Sequence, residues 1–466
     1  MRILKEYNVK IKRRIEANAG KVNFRGSNYQ IIKVQLVDNS FLNRLKKHSD
    51  REYYKKYSNQ IVSMIIENPN TVIKFEFLKN RLKRNSIDQE YKILKHLNDN
   101  KCVSAPEVID FGTVKIEELI SDDQNLTKIF SASKSENICQ LSQKKQANFK
   151  DNYLISDLIL AITEQAKLGV IQNDFKNENL FFTNESNIVI IDYDQAIIDE
   201  SFKKLKPKEI LDKTIELDFI SYNIKKRGWL RHFNFLSYNF HIKNLFDENG
   251  RLNILKTSLY KDQYSTNTKN MAYHTYSSKN LFVNGIRDLN DRIEILSKIE
   301  FKKGEKVLDV GSNIGLLAHY LENRGCNVTG YELDLKACTC SRIINNIDSF
   351  NIYFHHVDID KEKSIVKFNT VFIFSVIHHT KNLIENGEKI SESSDRIIIE
   401  CRLKEDGKKP ILKNNKTTWE ISSSWNFTNT DDLHRYLEKL FPFHKVFKNH
   451  GKCDKSRYII ELKKTT

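Results

Sequence analysis

Apolar residues along the chain change period twice, and the changes mark its organisation. Lys21 to Val37 alternates as strands do, and residues 41 to 70 are polar with a helical pattern. Thr71 to Phe77, TVIKFEF, reads as a strand with one lysine in an apolar setting. Asp88 to Leu97 places Ile93, Leu94 and Leu97 on one face of a helix. Ser104 to Gly112 reads as a connector, Thr113 to Ile120 as a strand, and Asp123 to Lys150 as a polar loop. Tyr153 to Leu168 is a well-patterned helix, followed by a hairpin whose second strand is Asn187 to Ile191. Glu200 to Tyr260 is helical, basic and aromatic. Lys261 to Asn270 is poor in apolar residues and reads as a linker.

Beyond it the grammar changes. Gly304 to Gly315 is an apolar strand ending in a glycine turn that opens a helix. Asn327 to Glu332 is a second strand ending on an acid. Thr370 to Thr380 and Asp395 to Cys401 are further strands, and the tail closes with the amphipathic run SRYIIELK. Strands alternating with helices predict an α/β domain.

Composition adds three limits. At 466 residues the chain has room for two or three domains. No apolar run reaches membrane-spanning length, and the first twenty residues lack the apolar centre of a signal peptide, so a cytoplasmic protein is expected. Seven cysteines without Cys-x-x-Cys spacing predict free thiols rather than disulfides or zinc. The formal charge of +16 accompanies abundant lysine, asparagine and isoleucine, as an AT-rich genome produces. It also admits an anionic partner: a phosphorylated glycan, a membrane surface or RNA. No basic block interleaved with aromatics singles out nucleic acid.

The candidate chemistry of the front half lies in LGVIQNDFKNENLFFTNESNIVIIDYDQA, Leu168 to Ala196. Asp174 suits orienting and deprotonating a hydroxyl. Lys176 suits neutralising a phosphoryl group, and Asn179 with Asp192 suits magnesium ions that bridge ATP phosphates. This run resembles the catalytic loop and metal-binding strand of the protein-kinase-like fold. Gln172 stands where that family usually has His, and Asp192-Tyr193-Asp194 has no glycine. Both departures point toward small-molecule and sugar kinases. The resemblance implies that Lys74 contacts phosphates and pairs with Glu90, and that Glu117 and Leu119 belong to an adenine-binding hinge. Only Gly20 and Gly26 are available for a phosphate-covering loop. Lys225, Lys226, Arg227 and Arg231 suit an anionic acceptor or a solvated helix face.

In the rear half the strand, glycine turn and strand-end acid form the layout of a nucleotide-binding Rossmann half. It resembles the class I S-adenosylmethionine-dependent methyltransferases. The resemblance implies that Asp309, Gly311, Ser312, Asn313 and Gly315 form the first cofactor motif. It also implies that Glu332 takes the ribose hydroxyls and Asp358 lies beside the adenine. The rival, a nicotinamide-binding domain, would want a glycine at Asn313. His378 or His379, with His379 preferred, suits taking a proton from a hydroxyl acceptor; the alternative is a turn packed on the cofactor. Tyr273-His274-Thr275 and Gly285-Ile286-Arg287-Asp288, with Arg292 following, resemble the leading segment of some of these enzymes, including the carboxymethyl-transferring tRNA wobble-uridine family. His274 and Arg287 line a pocket there, or the segment is a lid helix.

The expected fold class is therefore an α+β bilobal protein-kinase-like domain, residues 1–260, then a linker, 261–270, then an α/β Rossmann-like class I methyltransferase domain, 271–466. The pairing, in reversed order, resembles the bifunctional kinase–methyltransferases that end bacterial O-antigen polysaccharides. It implies an ATP- and Mg2+-dependent kinase on a sugar or glycan hydroxyl, joined to methylation by S-adenosylmethionine. The alternatives are an RNA- or protein-directed methyltransferase with a kinase-like substrate module, or a pseudokinase scaffold in front.

Overall fold

The computed structural model describes residues 62–66, 71–77, 87–111, 124–131, 135–137, 153–172, 180–183, 187–191, 193, 196–225, 245–254, 272–283, 285–287, 289–374, 376, 380–402, 429–454 and 457–465. The chain divides into two compact units, the first running to Leu252 and the second comprising 253–255 and Leu259–Thr466.

In the first unit, β1 (Val62–Ile66), β2 (Thr71–Phe77), β3 (Glu107–Phe111) and β4 (Gln124–Ser131) form an antiparallel sheet of order β1-β2-β4-β3. Helix α1 (Ile87–Asp99) packs on it and buries Ile93, Leu94 and Leu97, the face expected from their spacing. Three expectations are corrected here. Residues 62–66 form a strand rather than helix, because VSMII has no polar face and Asn68-Pro69-Asn70 supplies a turn signal toward β2. The connector at 104–112 contains β3. The polar loop at 123–150 contains β4, the central partner of both β2 and β3, and β5 (Ser135–Asn137). Cross-strand pairing outweighed the low apolar content of these segments.

Helix α2 (Tyr153–Lys167) is buried at every position from Ser156 to Lys167, as a core helix is. Its polar groups are used inward: Glu164 accepts from the backbone N–H of Val103 and Ser104 at 2.9 and 3.0 Å. Gln165 donates to Ser104 O at 2.8 Å and to Tyr193 Oη at 2.6 Å. After it, β6 (Val170–Ile171) pairs antiparallel with β9 (Ile197–Ile198). Between them, β7 (Leu180–Thr183) and β8 (Ile188–Ile190) form the expected hairpin. A 3-10 turn at Glu200–Lys204 leads into α3 (Pro207–Lys225).

The second unit opens with four short strands. Here β10 (Ala272–His274) runs parallel to β13 (Gly285–Arg287), and β11 (Tyr276–Ser277) pairs antiparallel with β12 (Leu281–Val283). The lid-helix alternative for this segment is thus replaced by strands, and the helix, α4 (Asn290–Ser297), starts only afterwards. Tyr276 Oη and Asn280 Nδ2 both bond Asp348, at 2.5 and 2.9 Å.

The body of the unit is a seven-stranded sheet. Its strands are β14 (Lys306–Val310), β15 (Asn327–Glu332), β16 (Tyr353–His356), β17 (Phe368–Phe374), β18 (Ser394–Arg402), β19 (His444–Asp454) and β20 (Arg457–Lys464). The order is β16-β15-β14-β17-β18-β20-β19, parallel throughout except β20, which is antiparallel to both neighbours. Helices α5 (Leu316–Asn323), α6 (Leu335–Asp348), α7 (Leu383–Ser393) and α8 (Thr430–Leu440) connect the strands.

Both faces of the sheet are covered, so the central strands are nearly continuously apolar. Leu308, Val371, Ile397 and Ile399 turn to one core with Ile390, Leu433 and Leu437 of α7 and α8. Val307, Phe372 and Ile398 turn to the other with Leu296, Ala318 and Cys338 of α4, α5 and α6. The closing strand is not amphipathic: Ile459, Ile460, Glu461 and Leu462 are all buried, because β20 is inserted between two neighbours. Six cysteines are described, all free and buried. No described helix is long and apolar enough to cross a membrane.

Candidate active site

A cavity of about 520 Å³ opens at the carboxyl ends of the parallel strands, where the strand order reverses between β14 and β17. Asp309, Gly311, Ser312, Asn313, Glu332 and Asp358 all line it. The structure therefore brings the rear-half candidates together. Gly315, the seventh, caps α5 behind them with φ +84°.

Backbone conformation explains the motif. Gly311 has φ +73°, and a Cβ there would stand 2.2 Å from Val376 Cγ2. Only glycine meets both conditions. The N–H groups of Gly311 and Ser312 bond Tyr331 O at 2.8 and 3.0 Å, fastening the turn to the end of β15. Asn313 has φ +52°, the left-handed conformation a glycine would take, and asparagine tolerates it. Its departure from the dinucleotide pattern thus leaves the turn intact.

Two carboxylates form the floor. Glu332 is held at both oxygens: Oε2 accepts from Asn313 N at 2.7 Å and Oε1 from Asp334 N at 2.8 Å. Each oxygen keeps a further lone pair, suited to a pair of vicinal hydroxyls. Burial pushes its pKa up, against the pull of those backbone bonds. Asp309 is more extreme. Burial, then the nearby Glu332, raises its carboxyl to about 7, and Asp309 Oδ2 has no hydrogen-bond partner among the described residues. A buried acceptor left in this state calls for a donor or a cation from a ligand. S-Adenosylmethionine fits both needs, with a ribose diol for Glu332 and an ammonium group for Asp309. Bound there, it supplies an electrophilic methyl group.

Asp358, expected beside an adenine, lines the cavity and holds Lys361 Nζ at 2.9 Å. Asp360, two residues on, was not singled out from the sequence. It accepts from Lys381 N, Asn382 N and Asn386 Nδ2 at 3.0, 3.0 and 2.7 Å, tying the loop after β16 to the turn after β17. Burial opposes its ionisation, but these bonds hold its carboxyl below the ordinary value. Glu400 and Arg457 were also missed. Glu400 ends the parallel part of β18 and accepts from Arg292 and, at 3.0 Å, from Arg457 Nη1; all three line the cavity. An acid inside the apolar run IIIEC was the available signal, but its partners are 108 and 57 residues away. His378, His379 and the side chains of His274 and Arg287 lie outside the described residues.

In the first unit, Glu90 is buried on α1 and its Oε1 faces Tyr193 N at 3.4 Å, next to Asp192. Lys74 occupies β2 opposite Ser63 and Lys128 in register. Asp174, Lys176, Asn179, Asp192, Glu117 and Leu119, the Lys74 side chain, and the basic cluster from Lys225 to Arg231 lie outside the described side chains. No group of three metal-ligating His, Cys, Asp or Glu occurs among the described residues.

Comparison with known proteins gives the following likenesses. The family model of a methyltransferase domain matches residues 282–439. Among solved structures, the N-terminal domain of EvdMO1, crystallised with S-adenosylhomocysteine and D-fucose, is 11% identical, covering 41% of this chain and 90% of its own, TM-score 0.31. Magnesium protoporphyrin IX methyltransferase from Synechocystis PCC 6803, with bound S-adenosylmethionine, is 16% identical, covering 35% of this chain and 71% of its own, TM-score 0.27. The bifunctional kinase–methyltransferase WbdD is 17% identical, and its match spans 39% of this chain and 40% of that protein, TM-score 0.30. The matched methyltransferase-domain segment lies within the second unit, whose Rossmann-like sheet carries the cavity lined by the glycine turn and the strand-end acids.

Proposed function

We propose that the chain is a bifunctional transferase of surface polysaccharide biosynthesis. Its front unit phosphorylates a sugar or glycan hydroxyl with ATP and Mg2+, and its rear unit methylates the same molecule, with the new phosphate as the accepting oxygen. The observation that carries the methyl-transfer half is the buried Asp309 beside the half-buried Glu332 at the Gly311–Asn313 turn. Methyl transfer is an in-line displacement, so the cavity's task is alignment and exclusion of water. A phosphate oxygen is already anionic and needs no base. A hydroxyl acceptor would draw on His378 or His379.

Three features of the first unit support its half. The glutamate of α1 reaches the backbone beside Asp192. The β6–β9 pairing brackets the Asp174–Asp192 segment, and the β7–β8 hairpin lies within it. Lys74 and Glu90 lie on a strand and a helix packed together, as a phosphate-binding pair requires. Glu117 and Leu119 are the proposed hinge residues; they lie outside the described residues.

The test combines both cofactors. Purified protein with ATP, Mg2+, S-adenosylmethionine and a terminal-sugar oligosaccharide should yield a product heavier by one phosphate, then by one methyl group, in mass spectrometry. Methylation that proceeds equally without ATP would refute the coupled reading. Methylation of RNA with affinity that falls steeply in salt would favour the nucleic-acid alternative.

A further inference from the structure

Two segments that line the cavity are fastened to each other. Asp358, Ile359 and Asp360 follow β16, and Val376 and Thr380 follow β17 and lead into α7. Asp360 engages both carboxylate oxygens across the gap: Oδ2 accepts from Lys381 N, and Oδ1 from Asn382 N and Asn386 Nδ2. Its carboxylate closes the amino end of α7, whose own N-cap residue, Asn382, makes no side-chain cap bond. A negative charge is favoured there by the helix dipole. Lys389, on the same helix face as Asn386 and 7% exposed, donates to Ile359 O at 2.9 Å and Glu362 O at 2.8 Å. The fold thus clamps the loop after β16 onto α7.

The backbone of Asp360 then reaches Asp358. Asp360 N donates to Asp358 Oδ1 at 3.2 Å, and Lys361 Nζ stands 2.9 Å from Oδ2. The Lys361 side chain is 81% exposed, so that ion pair is a weak tether. The firmer constraint on the Asp358 carboxylate is the N–H of a residue whose place α7 sets.

We propose that Asp360 is a positioning residue of the cofactor site: held on α7, it orients the Asp358 carboxylate to accept from the amino group of the cofactor's adenine. This rests on the methyltransferase reading and gives its site a means of selecting the base. A carbonyl oxygen in place of the amino group would meet the carboxylate acceptor to acceptor.

The experiment uses the full chain and compares, by calorimetry, affinities for S-adenosylhomocysteine and S-inosylhomocysteine, in which an oxygen replaces the adenine amino group. The parent should prefer the adenosyl ligand at least about tenfold, the scale of one hydrogen bond to a charged group. Asp360→Asn removes the charge and turns an amide toward backbone N–H groups, so the preference should fall roughly threefold or more. A merely structural role would lower stability to urea and leave the preference of the folded protein unchanged, which overturns the proposal. In an Asp358→Asn background the same substitution should alter the preference less than about twofold, because it acts through Asp358. An equal fall in both backgrounds also overturns it. Should Asp360→Asn not fold, Asp360→Ser removes the charge with a smaller group; the same fall is expected, and an unchanged preference again overturns the assignment. A parent that binds both ligands equally removes the role of Asp358, and the proposal with it. Failure of the parent to bind S-adenosylhomocysteine would instead sink the methyltransferase reading beneath it.

Discussion

At the scale of single residues, the cavity is set by a few groups held away from their ordinary state. Asp309 binds its proton more tightly folded than unfolded, since its carboxyl is raised to about 7 by burial and by Glu332. Its contribution to stability is fully present below the ordinary carboxylate range and is lost as pH rises through about 7. Asp309→Asn should therefore raise the stability of the ligand-free protein at pH 8 by roughly 2–4 kcal/mol, an effect that fades toward pH 4. It should also weaken S-adenosylhomocysteine binding. Urea unfolding across this pH range, with calorimetry, checks both; equal stability at pH 8 would mean the carboxyl is not perturbed. At Gly311 the conflict is steric. Gly311→Ala meets Val376 and an unfavourable φ, and should weaken S-adenosylhomocysteine at least about tenfold. Adding Val376→Ala removes the clash but not the backbone strain, so recovery should be partial.

At the scale of elements, burial sets how well pattern predicts structure. Helix α8, which was not expected from the sequence, buries Leu433, Leu437 and Leu440 on one face, with Asn429 capping Asp432 N at 2.8 Å and acids in the first turn. It seals the core under β17 and β18, so Leu437→Ala should cost about 2–4 kcal/mol in urea unfolding with little change in cofactor affinity. A cost under about 1 kcal/mol would show that the helix is loosely packed. Strands β3 and β4 escaped the pattern, because short polar segments gain strand character only from the neighbours they pair with. For β20 the error ran the other way. Glu461 gave it a polar face on paper, yet the residue is buried between His450 and Arg396.

At the scale of the whole molecule, the chain divides into two compact units, and the proposed reactions are assigned to different ones. Asp174→Ala should abolish ATP consumption while S-adenosylhomocysteine affinity stays within about twofold, since the two sites draw on different units. ATP consumption that persists in this variant would remove the proposed kinase mechanism; loss of cofactor binding as well would show that the units are energetically coupled. Although the chain's formal charge is +16, two acids, Asp309 and Glu332, line the cavity close enough that Glu332 raises the Asp309 carboxyl.

The sequence by itself determined the Rossmann-type succession of the rear unit and its glycine turn. Those features are local: a strand, a positive-φ turn and an acid at the next strand's end lie within one short stretch. It also marked the Leu168–Ala196 hairpin. Only the tertiary structure decided which distant charges share a wall. Arg292, Glu400 and Arg457 meet because β20 is inserted beside β18, and chain order does not reveal that insertion. Periodicity reports which face of an element is buried, whereas the identity of what it is buried against is settled by strand order alone.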